Sequence, residues 1–192
     1  MPKQEKIRSM LAMGNRIAAA RAPEVAGILL RDPRKAAQVV QCLWDEDPGV
    51  ANRAADALER ASCQTPEFLG AWKDALLGRM ADATENKLRW NLALMAPRLR
   101  LTVAETERAA AVLRMWLNDK SSIVKTSAMH GLAGLTIWNP ALLPEMLDML
   151  RILSRSGTPA MRARGRILLK RLETGKRSST TTRKSLQAIR YG

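Results

Sequence analysis

A stripe of apolar and small residues returns four times along this chain at nearly constant spacing. Starting from Val50, the residues 4, 8 and 11 places further on are Ala54, Leu58 and Ala61. The pattern restarts at Leu88 (Leu92, Ala96, Leu99), Val124 (Ala128, Leu132, Leu135) and Met161 (Gly165, Leu169, Leu172), after steps of 38, 36 and 37 residues. These offsets fall on one side of a helix with 3.6 residues per turn. Three places before each start stand Asp47, Glu85, Ser121 and Thr158. Three of these are favoured N-caps. Glu85 instead supplies first-turn negative charge, with Asn86 as an alternative cap. The pattern predicts inner helices at about 48–62, 86–100, 122–135 and 159–172, with Val50, Leu58, Leu92, Val124, Leu132, Met161 and Leu169 in the core.

A second helix precedes each of these. Thr65-Pro66, Thr102 and Asn139-Pro140 open helices at 37-residue intervals, and Asp32-Pro33 opens a shorter one. A cap followed by Pro is a helix-start signal. Within these helices Trp72, Ala109 and Met146 correspond, as do Leu76, Leu113 and Leu150. Pro144 is expected to kink its helix and Pro97 to truncate the second inner one. The hairpins are then residues 32–62, 65–100, 102–136 and 139–172. A period near 37 built from paired helices indicates an α-solenoid, in which stacking completes a core that no hairpin closes alone. Residues 3–20 and Pro23 to Leu30 read as two helices capping the first hairpin. Gly175 reads as a helix stop, "RSSTTT" as a flexible link and "RKSLQAIRY" as a short final helix. The resulting division is an N-terminal helical cap (1–31), a repeat region (32–172) and a basic C-terminal tail (173–192).

The acidic turn, Pro and small-residue helix of "DPGVANRAADAL" resemble HEAT-like repeats. "IVKTSAMHGL" and "AMRARGRILL" add Lys125 and Arg162 directly after the first stripe position, where such units commonly carry a base; Arg89 matches and Ala51 departs. The resemblance covers roughly residues 32–172. It implies an all-α, right-handed α-α superhelix of about four hairpins, and little about function, because the family is defined by its scaffold.

Composition agrees with helices. The chain has one Phe and one Tyr against ten Met and five Trp, a poor inventory for strands. No apolar run approaches the roughly 20 residues of a membrane span. The N-terminus is a poor secretory signal, so a cytoplasmic location is expected. The net charge of +14 is unevenly spread. Residues 32–100 carry ten bases and ten acids, whereas residues 156–192 carry ten bases and one acid. Such an end attracts nucleic acid, anionic lipid or an acidic protein.

Several chemistries lack their parts. With His130 as the one histidine, two-histidine metal sites are excluded, and no glycine-rich phosphate loop occurs. Neither a metal nor a cofactor is expected. Asp45, Glu46 and Asp47 read as helix-start charge, and Cys42 and Cys63 form no ligand pattern. Trp44, Trp72 and Trp116 are expected to be buried packing. Trp90 lies two places after a stripe start and is a candidate stacking platform. The candidate binding residues are Arg89, Trp90, Arg98, Lys125, Arg162, Arg164, Arg166, Lys170 and Arg171. Arg60, Arg98 and Arg171 share one repeat position, with Gly134 in the third unit.

Three function classes follow. The first is a non-enzymatic scaffold holding a protein or peptide on its inner helices. The second is a nucleic-acid-binding solenoid. Its resemblance to HEAT-like alkylpurine DNA glycosylases would give Trp90, Trp116 and Asp119 the work at the sugar, although "WLND" does not assign the roles. The third, membrane-surface attachment, lacks an apolar partner for the tail's charges. The sequence leans against an enzyme and favours the scaffold.

Overall fold

The computed structural model describes residues 6–13 and 20–178, and its regular structure is helical, with no strand among the described residues. The chain divides into two compact units, Met1–Leu92 and Ala93–Gly192.

The first unit holds α1 (Ile7–Ala12), α2 (Ala22–Arg31), α3 (Ala36–Gln41), α4 (Pro48–Gln64), α5 (Lys73–Asp82) and the start of α6 (Asn86–Met95). α1, α2 and α3 all pack on α4. The alanines of α4 make this possible: Ala51, Ala54, Ala55, Ala57 and Ala61 are buried along a helix with few bulky side chains. α4 starts where expected, because the Asp47 side chain accepts from the Gly49 amide at 2.7 Å and Pro48 opens the first turn. Asp45 Oδ1 accepts from the Asp47 amide at 3.0 Å, so the acidic cluster organises this turn. The Arg53 guanidinium is 2% exposed and donates to the Leu11 carbonyl, tying α1 to α4.

Three expectations change here. The helix read over residues 3–20 is confined, in its described part, to α1, and Met13 is extended. Thr65-Pro66 opens a 3-10 helix, Pro66–Trp72, before α5 begins. Trp44 ends a 3-10 turn and is 49% exposed, and Trp72 is half-buried, so neither is the fully packed indole expected.

The second unit holds the end of α6, a 3-10 turn Ala96–Arg98, then α7 (Val103–Trp116), α8 (Ser122–Leu135), α9 (Leu143–Ser156) and α10 (Pro159–Ser178). α8 packs on α7 and on α10, and α9 packs on α10. Pro97 truncates α6 as expected, because the α-helix gives way to the 3-10 turn at Ala96. Thr102 and Glu105 form a capping box: Thr102 Oγ1 accepts from the Glu105 amide at 3.3 Å and Glu105 Oε2 accepts from the Thr102 amide at 2.7 Å. Pro144 lies in the first turn of α9, after a 3-10 segment, Pro140–Leu142.

Fifteen of the sixteen stripe positions are buried. The exception is Leu169, which is half-buried while Leu168 takes the core position at 4% exposure. The stripe that meets α8 and α9 is thus Met161, Gly165, Leu168 and Leu172. Gly175 does not stop α10, which runs on to Ser178. A lone Gly costs about 1 kcal/mol in a helix, a penalty that need not end it. The expected final helix at residues 183–191 and most of the link before it lie outside the described residues.

Candidate functional site

α10 carries the largest group of candidate binding residues. Thr158 caps it, Oγ1 accepting from the Met161 amide at 3.3 Å, and Pro159 occupies its first turn. Its approach to α9 is close at Gly165, where an added Cβ would lie 3.3 Å from the Ser154 Cα. With Met161, Gly165, Leu168 and Leu172 facing inward, helical spacing puts the five bases on two sides. Arg162, Arg166 and Lys170 follow at four-residue steps along one side, and Arg164 and Arg171 lie on the other. Arg171 lines a small cleft with His130, Ala133 and Gly134 of α8.

The bases are not equivalent. Arg162 Nη1 donates to the Gly157 carbonyl at 2.9 Å, closing the turn before α10. Arg166 and Lys170 are exposed and Arg164 is half-buried, and none has an ion pair among the described residues. The acid that could have neutralised them is engaged elsewhere. Glu173 is the single acid in residues 156–192, and its Oε1 lies 3.4 Å from Nη2 of Arg151 on α9. Arg151 also binds Asp148 at 2.8 Å.

The other expected contact residues are more dispersed. Arg89 Nε donates to the Ala83 carbonyl at 2.8 Å, the same turn-closing role as Arg162 one repeat position away from a stripe start. Trp90 and Lys125 are half-buried, as is Arg98 at the end of the 3-10 turn after α6. Trp116 is 5% exposed, and Asp119 Oδ1 accepts from the Ser121 amide at 2.7 Å, shaping the turn into α8. Arg60 pairs with Asp56 at 2.8 Å.

Other charges act within the fold. Arg114 binds Glu145 at 2.7 Å, and this hydrogen bond holds the Glu145 carboxyl below its ordinary range. Arg8 does the same to Asp45 at 2.6 Å. Burial pushes the Cys42 thiol up, as befits a small packed side chain. No group of three or more His, Cys, Asp or Glu among the described residues is disposed to hold a metal ion, and no described helix is long and apolar enough to cross a membrane. Sequence reading missed Arg151, whose grip on Glu173 leaves Arg166 and Lys170 without an acid partner among the described residues. The only signal for it was the scarcity of acid after residue 156.

No protein-family model and no curated protein matches the chain. It is similar to the crystal structure of an engineered protein from the Northeast Structural Genomics Consortium. The two share 16% identity, with a TM-score of 0.63 over 96% of this chain and 92% of that one. At that identity the likeness concerns the fold alone.

Proposed function

We propose that this protein is a non-enzymatic scaffold of HEAT-like repeats, wound as a right-handed α-α superhelix, that holds a polyanionic macromolecule on the surface of α10. The observation that carries the binding role is the engagement of Glu173 by Arg151, which leaves Arg166 and Lys170 as exposed charges with no ion pair among the described residues. Support for the repeat architecture comes from the second unit. Ser122 Oγ, two residues before its stripe start, and Thr158 Oγ1, three before its own, lie 3.0 Å apart and 36 residues apart in sequence. Contact at about one period is what stacked repeats produce.

The glycosylase reading gains nothing from the second unit, because Trp116 is packed away and Asp119 is held by the Ser121 amide. The scaffold reading is tested by titrating the full chain with heparin and with polyglutamate at several salt concentrations. Salt-sensitive binding to at least one is expected. Absence of binding to any polyanion at low salt would overturn the reading, as would release of alkylated purines from methylated DNA.

A further inference from the structure

We infer that the polyanion is a nucleic acid duplex, held by its phosphate backbone through Arg166 and Lys170 with no reading of base sequence; this rests on the polyanion-binding role proposed for α10. Two simpler explanations of these bases fail. Residues four apart on a helix are neighbours, and like charges at that spacing destabilise it. The helix dipole does favour cations, but only within the last turn. α10 continues to Ser178, two turns beyond Lys170.

The chemistry of the face separates nucleic acid from an acidic protein. Protein interfaces place aromatic, Met and Arg anchors in an apolar centre and are depleted in Lys. Beside Arg166 and Lys170 the same side of α10 offers Arg162, Ala163 and Glu173, with no aromatic or methionine anchor. Ile167, 47% exposed, is the large apolar residue exposed on the described part of α10. It is turned about 100° from Arg166 and borders Lys170 at three-residue spacing, on the edge of the face nearer Arg164 and Arg171. Nucleic-acid interfaces are by contrast polar and strongly positive. The bases follow at about 6 Å along the helix axis, so both can meet one backbone. α10 has no Asn or Gln, so adenine edges go unread from it; contacts from bases to phosphate position without specifying.

The test uses the full chain, two labelled duplexes of unrelated sequence and a series of salt concentrations, with polyglutamate as competitor. The variants are Arg166→Ala with Lys170→Ala and, as a control for net charge, Lys6→Ala with Lys35→Ala. Circular dichroism melts check that each is folded. The two duplexes should bind within about twofold of each other. Each phosphate contact contributes about 0.9 to the slope of log K against log salt, so the α10 variant should lose nearly two from that slope. Between about 50 and 200 mM salt its affinity should fall about tenfold less than that of the parent. The control should keep the parent slope. Preferential binding of polyglutamate or strong sequence preference would overturn the inference while leaving the scaffold in place; an unchanged slope in the α10 variant would overturn the inference and also remove the polyanion from α10. Loss of binding to every polyanion would remove both.

Discussion

The indole nitrogen of Trp138 donates to the Pro97 carbonyl at 2.8 Å, joining positions 41 residues apart. Pro97 lies in the 3-10 turn that ends α6, so this bond fixes the place where that helix stops. In Trp138→Phe the ring remains and the donor is lost. A net hydrogen bond of this kind contributes about 1 kcal/mol, and urea unfolding should show a loss of that order.

Gly134 touches the same proline. An added Cβ would sit 2.5 Å from Pro97 Cγ, whereas at Gly78 in α5 nothing lies within 4 Å. Gly134→Ala should therefore cost about 1–3 kcal/mol through overpacking. Gly78→Ala should stabilise by up to about 1 kcal/mol through helix propensity. Opposite signs in thermal or urea melts are the expected result; a shared sign would refute the close approach of α8 to this turn.

Leu132 and Leu169 occupy the same repeat position with different burial. Leu132 is fully buried, and Leu132→Ala should cost about 2–5 kcal/mol. Leu169→Ala should cost less, because part of its side chain already meets water. Comparing the two by urea midpoint checks the register of α10; equal losses would restore Leu169 to the core.

Acid should weaken the first unit through Asp45. Its carboxyl is held below the ordinary range by the Arg8 hydrogen bond, so the folded pKa is lower than the unfolded one. That contribution is complete above the unfolded value of about 4 and is lost as pH falls through the folded one. Asp45→Asn should lower stability near neutrality and flatten its decline on acidification below about pH 4. Denaturation midpoints measured against pH read this directly, and parallel curves for both proteins would disprove the linkage.

The helices were legible because helix sides follow from residue offsets alone, and caps such as Asp47, Ser121 and Thr158 carry their own chemistry. Leu169 was misread because the edge of a stripe is buried only if something covers it, which depends on neighbours rather than spacing. Arg89 and Arg162 were recognised as bases in a repeated position, but their acceptors are the carbonyls of Ala83 and Gly157. A carbonyl is present at every residue and leaves no signature in the sequence. The pairing of Glu173 with Arg151 was hidden for a related reason: both are ordinary surface residues until the packing of α9 on α10 brings them together.

The Arg53–Leu11, Arg79–Leu43, Asn139–Glu107 and Trp138–Pro97 bonds join residues between 32 and 42 places apart. Loop-closure entropy grows only with the logarithm of loop length, and its cost falls before the contact gives anything back. Each of these loops closes within little more than a fifth of the chain, so the order in which they form is weakly constrained. A chain tied together this way can begin folding at several points and needs no distant pairing to start.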